Sequence, residues 1–224
     1  MTRPVYARRI FVIGATGYLG VQLIPLLIER GHQVTALIRQ ASGRKVPNGC
    51  QVVVGNPFDA ATFTESLRGA DTLVQLVGAP KPTPWKGPLF RAIDGPSALA
   101  SIRAANATGI RHFLYVSVAH PAPIMQDYIA VRTECEVAIV KAGLIATILR
   151  PWYILGPGHR WPLVLLPVYR LLERFPGARE AAIRLGLVTI REMLAAMVWS
   201  IEHPPMSVRV IEVPEIRLLG RSDA

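Results

Sequence analysis

The stretch Ile10-Phe11-Val12-Ile13-Gly14-Ala15-Thr16-Gly17-Tyr18-Leu19-Gly20 decides how this chain folds. Four apolar residues run into glycines at 14, 17 and 20, and a second apolar run, Val21 to Ile28, follows. A strand covered on both faces of a parallel sheet is continuously apolar, while Leu19, Leu23, Leu26 and Leu27 recur at helical spacing. The stretch therefore predicts a buried strand, a tight turn and a helix start. Gly14 turns the chain, Gly17 leaves the backbone bare for a close approach, and Gly20 lets the helix pack against the strand. Backbone N–H groups at a helix N-terminus, with the positive end of its dipole, make an anion site that needs no charged side chain. Pyrophosphate is the ligand such a turn suits. The spacing is GxxGxxG rather than the commoner GxGxxG, and a ligand-free structural turn is the alternative.

The next strand bears on that choice. Arg30-Gly31-His32 closes the first helix, and Gln33 to Ile38 reads as a strand that ends at Arg39. In dinucleotide-binding sheets a carboxylate about 20 residues past the glycines binds the ribose 2′-hydroxyl, whereas an arginine accommodates a 2′-phosphate. Here Arg39, Arg44 and Lys45 follow the strand and no Asp or Glu does. Guanidinium pairs with phosphate through two charge-assisted hydrogen bonds, so the expected cofactor is NADP rather than NAD. A solvated basic loop is the competing explanation.

Further strands are expected at Gln51 to Gly55, Asp71 to Gly78, His112 to Ser117, Leu144 to Leu149 and Val208 to Val213. Helices are expected at Ala60 to Arg68 behind an Asp59 cap, Leu89 to Thr108, Gln126 to Ala142 and Ile190 to Glu202. Strand alternating with helix means right-handed crossovers and a doubly wound, Rossmann-type parallel sheet. Ligands in such sheets lie off the carboxyl ends of the strands. That places Gly78 and the loop Ala79 to Pro88, with its four prolines and Trp85, at the rim of the site.

With 224 residues, 51% hydrophobic, 18% charged and mean hydropathy +0.33, one globular domain is expected. Residues 1–158 form its cofactor-binding core and 159–224 a small helical elaboration with a final strand. Cys50 and Cys135 have neither metal spacing nor a disulfide framework, and no leader or membrane-spanning run is evident, so a cytoplasmic setting is expected. The net charge of +10 is scattered through the chain without a basic run interleaved with aromatics, which argues against nucleic acid. An anionic ligand, an anionic membrane surface or a merely soluble basic surface remain. Trp161 to Leu172 is apolar on nearly all sides, with Arg170, Arg174, Arg179 and Arg184 in and after it, and one or two helices broken near Pro176-Gly177 are expected over 161–186. It suits a lid over an apolar substrate, a surface lying on anionic lipid or a protein partner, or a core helix. Monomer and homodimer both fit.

Taken in order, Gly14-Ala15-Thr16-Gly17-Tyr18-Leu19-Gly20, Tyr115-Val116-Ser117, Tyr128 with Arg132 and Glu136 beyond it, and Arg150-Pro151 through Gly156-Pro157-Gly158 resemble the atypical short-chain dehydrogenase/reductases. The NmrA-like and complex-I-subunit-like branches of the epimerase/dehydratase superfamily are the most similar. The resemblance covers about 160 residues and implies NAD(P) along the strand ends, held at Gly14, Thr16 to Gly20, Asn56, Gly78, Pro151 and Tyr153. Asn56 stands where the family often has aspartate. The resemblance also implies a catalytic set of Ser117, Tyr128 and Arg132, with arginine where the family's Tyr-x-x-x-Lys motif has lysine. Tyrosine with its ordinary pKa near 10 is a poor base at neutral pH, and a neighbouring cation stabilises its phenolate. Arginine supplies the charge in a different shape. Two functions follow: an NADP-dependent oxidoreductase or epimerase acting on a small, apolar carbonyl or alcohol, or a regulatory or assembly protein that binds NADP without turnover.

Overall fold

The computed structural model describes residues 7–40, 46–80, 83–158 and 176–222. Strands are β1 (Arg9–Ile13), β2 (Gln33–Ile38), β3 (Gln51–Val54), β4 (Thr72–Gln75), β5 (His112–Val116), β6 (Ala146–Arg150), β7 (Tyr153–Leu155), β8 (Leu187–Thr189) and β9 (Arg209–Glu212). Helices are α1 (Gly20–Glu29), α2 (Thr64–Leu67), α3 (Gly87–Thr108), α4 (Gln126–Lys141), α5 (Pro176–Arg184), α6 (Ile190–Glu202) and α7 (Val213–Ser222). The main sheet has the order β3-β2-β1-β4-β5-β6-β9 with every pairing parallel. It is the doubly wound sheet expected from the alternation of elements. The order reverses between β1 and β4, and the crevice at that switch point is where such sheets take ligands.

The apolar continuity of β1 has a direct cause. Ile10 and Val12 face one layer with Leu23, Ile24 and Leu27 of α1 and Met197 of α6, while Phe11 and Ile13 face the other with Phe113, Tyr115 and Cys135. Both faces are covered, so no position of β1 after Arg9 is left to water.

Three segments depart from the sequence expectation. The helix expected over Ala60 to Arg68 is split into a 3₁₀ turn, Ala60–Thr62, and α2. Between them Phe63, at φ −141°, drops its buried ring beside Phe11, with centroids 6.2 Å apart. Burying that ring outweighs one more turn of helix. Asp59 does cap the turn, accepting from the Ala61 N–H at 3.1 Å. The second departure is a small parallel sheet of β7 with β8. The third is α7, whose Val213 and Ile216 are buried and whose Gly220 passes so close to Glu192 that a Cβ would stand 2.5 Å from its Cα. Helix α5 covers Pro176–Arg184, beyond the expected break, and the apolar stretch Trp161 to Leu172 lies outside the described residues.

Candidate functional site

The glycine turn is built by exclusion. Gly14 has φ +91°, and a Cβ there would stand 2.9 Å from the backbone of Leu76 and Val77 at the end of β4. Gly17 donates its N–H to the Gly14 carbonyl at 3.0 Å, and a Cβ on Gly20 would lie 2.5 Å from that same oxygen. Gly14 and Gly20 are closed to larger residues, and a Cβ on Gly17 would stand 3.1 Å from the Gly14 oxygen, so helix α1 starts directly against the carboxyl end of β1. Its first turn holds no acidic residue, and Leu19 at the N-cap makes no side-chain capping bond. The positive end of the α1 dipole therefore faces the crevice, and a pyrophosphate fits that end. Tyr18, whose phenol is pushed up by burial, reaches across to Gly156 beyond β7.

The other expected cofactor contacts lie along the same edge of the sheet. Arg39 is exposed just past β2, while Arg44 lies outside the described residues. Asn56 follows β3 with its backbone tied to Thr62, and its side-chain oxygen accepts from the Phe58 N–H at 3.1 Å. Gly78 follows β4 and Pro151 and Tyr153 follow β6, with the Tyr153 and Trp152 rings edge to face at 5.5 Å.

Helix α4 supplies Tyr128 and Arg132. The Tyr128 ring packs on Phe90 at 4.8 Å, within a cluster completed by Met125, Val131, Ala79 and Trp152. Burial raises its pKa above the ordinary 10, and Arg132 offsets that only in part. The phenol is therefore protonated at neutral pH. The Arg132 guanidinium lies 5.1 Å from the Tyr128 ring centroid and 5.5 Å from that of Tyr115. It donates hydrogen bonds to the Val116 carbonyl at 2.7 Å, to the Tyr115 hydroxyl at 3.3 Å and to the Asp94 carboxylate. Asp94 also accepts from the Ala79 N–H at 2.9 Å. The buried Arg132–Asp94 pair thus ties α4 to α3 and to the backbone after β4. Gly78 is needed there because a Cβ would collide with the guanidinium.

Ser117 ends β5, buried, with its N–H on the Leu149 carbonyl at 2.7 Å. Its hydroxyl donates to Glu136 at 2.5 Å. Glu136, one turn past Arg132 on α4, is clamped by Arg150 through Nε at 3.0 Å and through Nη2. Arg150 also reaches Glu212 at 3.4 Å, and the His120 ring lies 3.7 Å from Glu136. Glu136 accepts the one proton Ser117 has, so toward a ligand the hydroxyl presents lone pairs.

The structure therefore sets the glycine turn, Asn56, Gly78, Ser117, Tyr128, Arg132 and Pro151 along the carboxyl edge of one sheet. Asp94 was missed by sequence reasoning. Its signal is a lone carboxylate among the small and apolar residues of Arg91-Ala92-Ile93-Asp94-Gly95-Pro96, the kind of charge that stays buried only when paired. A shallow cavity of about 300 Å³ lined by Arg9, His32, Gln33, Gln51 and Arg68 lies at the opposite, amino edge and takes no part.

Residues 14–160 match the profile of the NAD(P)H-binding family. A ceramide reductase of Caulobacter vibrioides is 26% identical over 211 residues, which is 93% of this chain and 65% of the relative. The photosystem II assembly factor Ycf39 of Synechocystis is 30% identical over 151 residues, 63% of this chain and 44% of the relative. The chain thus spans less than two thirds of the length of either. Among solved structures, a Burkholderia cenocepacia protein described as a putative epimerase aligns with a TM-score of 0.68 and 20% identity over 98% of this chain and 82% of its own. The Bordetella bronchiseptica enzyme WbmH in complex with NAD⁺ aligns at 0.66 with 18% identity over 92% of this chain and 76% of its own. At these identities the likeness is one of fold.

Proposed function

This chain belongs to the NAD(P)H-binding family, and from that premise we propose that it is an atypical short-chain dehydrogenase/reductase, an NADP-dependent reductase of an apolar carbonyl compound. The observation that carries the proposal is Tyr128, a protonated phenol set in an apolar wall with a cation on its face. A phenol held above its ordinary pKa is a poor base and a suitable proton donor, which favours reduction over oxidation.

When bound, the reduced nicotinamide supplies a hydride to the carbonyl carbon. Tyr128 then gives its hydroxyl proton to the carbonyl oxygen, and Arg132 stabilises the phenolate that remains until solvent returns a proton. Ser117, its own proton engaged by Glu136, receives the new alcohol's O–H rather than polarising the carbonyl. Arg39 holds the 2′-phosphate and the α1 N-terminus the pyrophosphate. The apolar walls of Phe90, Met125 and Trp152 suit a lipid-like substrate, in keeping with a relative named for ceramide.

A second proposal has its own support. Arg132, standing where the family's motif has lysine, gives its hydrogen bonds to Asp94, Val116 and Tyr115 rather than to an incoming ribose. That suits an NADP-binding assembly or regulatory module, and the Ycf39 relative is named as an assembly factor.

Titration with NADPH and NADH, repeated on Arg39→Ala, tests the cofactor. NADPH binds more tightly, and the substitution weakens NADPH alone by about ten- to a hundredfold, as expected for a charge-assisted hydrogen bond. NADPH oxidation over a panel of long-chain aldehydes, ketones and quinones tests the chemistry. Turnover that Tyr128→Phe abolishes supports the reductase; turnover that survives it excludes this mechanism, and NADPH binding without turnover favours the module.

A further inference from the structure

Two loops leave neighbouring strands at the site edge, one after β4 and one after β5. The first is framed by Pro80, Pro84 and Pro88, each with a fixed φ. It is closed on itself by Lys86, whose N–H donates to the Thr83 carbonyl at 3.1 Å and whose Nζ donates to the Pro80 carbonyl at 3.1 Å. At its tip Trp85 is 86% exposed. The turn packs against α4, so its neighbour is the second loop, where Ile124 is 49% exposed. Arg184 of α5 donates to the Pro121 carbonyl of that second loop at 3.3 Å and sets a guanidinium beside it. Other exposed apolar side chains, Met206 ahead of β9, Leu218 on α7, Val140 near the end of α4 and Val54 on the edge strand β3, belong to other elements.

A large indole held outward on a closed, proline-framed loop is not explained by packing. Tryptophan on a surface with cations beside it is the side chain of a water–lipid boundary, apolar in its body and polar at its N–H. The chain carries a net charge of +10, which draws it toward an anionic surface. Phe90, in the first turn of α3 after Trp85, and Met125, next to Ile124, are buried together with Val131, and Tyr128 packs on them. An apolar molecule leaving a bilayer at this rim would meet apolar side chains as far as the proton donor.

We infer that the Trp85 and Ile124 loops, flanked by Lys86 and Arg184, form a docking rim that seats the mouth of the site on an anionic lipid surface. The inference rests on the apolar-substrate reading and extends it to where the substrate is collected. The rim penetrates only to headgroup depth, as interfacial anchors do.

Flotation of the full chain with vesicles of phosphatidylcholine, with and without phosphatidylglycerol, tests it. The chain floats with the anionic vesicles, and Trp85→Ser with Ile124→Ser lowers the bound fraction by about tenfold while NADPH affinity is unchanged. Both side chains are exposed, so the variant folds. As an independent check, brominated lipid quenches part of the tryptophan fluorescence, and that part disappears in Trp85→Phe. Failure to float, or flotation and quenching indifferent to these substitutions, overturns the rim; the second result would assign binding to another part of the chain. A chain that binds NADPH but not vesicles refutes the rim alone, and one that binds vesicles but not NADPH refutes the reductase alone.

Discussion

His112, fully buried in β5, shares hydrogen bonds with Thr147 at 3.0 Å and Thr72 at 3.4 Å. Burial is the main reason its pKa falls from 6.5 to about 3. The unfolded chain takes up a proton at this residue below about pH 6.5, and the folded one does not until about pH 3. Stability is therefore lost as the pH falls through that window, by up to ~1.4 kcal/mol per pH unit from this group. Urea unfolding midpoints measured from pH 7 downward should flatten in His112→Asn relative to the wild type; equal slopes would mean that His112 is protonated in the fold. Reactive chemistry at Cys135 is not expected, because burial pushes its thiol up.

At the scale of elements, the most legible unit was the first. A continuous apolar run and three glycines sufficed for β1, the turn and α1, since each position there has only one solution. Helix α6 was expected with the bounds it has, and the structure adds a reciprocal capping box of Thr189 and Glu192 at its start. The split of Ala60 to Arg68 was not legible: it depends on Phe63 finding Phe11, a contact far away in sequence. Nor was α7, ten residues long, whose helical state rests on packing Gly220 against α6. The fit of α1 against β1 makes a prediction at this scale. Gly20→Ala would press a methyl into the Gly14 carbonyl, costing about 1–3 kcal/mol and tilting the helix N-terminus off the pyrophosphate position. Thermal unfolding reads the first effect and NADPH titration the second; an unchanged Tm would mean that the turn relaxes freely.

At the scale of the molecule, the candidate site is held by two buried ion pairs one helical turn apart on α4, Arg132 with Asp94 and Glu136 with Arg150. Sequence reasoning found Ser117, Tyr128 and Arg132 from their order along the chain. It could not see that Arg132 is already paired with Asp94 of α3, and Ser117 with Glu136, which Arg150 of β6 clamps in turn. Asp94→Ala leaves the Arg132 guanidinium without its carboxylate in a dry interior and releases the Ala79 backbone, so a loss of about 3–5 kcal/mol is expected in chemical denaturation. A much smaller loss would mean that Tyr115 and Val116 hold Arg132 alone. Among the described residues no helix is long and apolar enough to cross a membrane.

The strand order has a bearing on how the protein is made. From β1 outward through β4, β5, β6 and β9, the sheet widens in the sequence in which a ribosome delivers its strands. Each new strand meets an edge that is already in place, and none has to be inserted between two formed neighbours. The last to emerge, β9, docks on β6 across a separation of 62 residues, from Thr147 to Arg209. Until then the nascent chain shows β6 as an open edge, with the residues of the crevice already translated. A cofactor taken up at that stage would act as a template on which the carboxyl-terminal third settles.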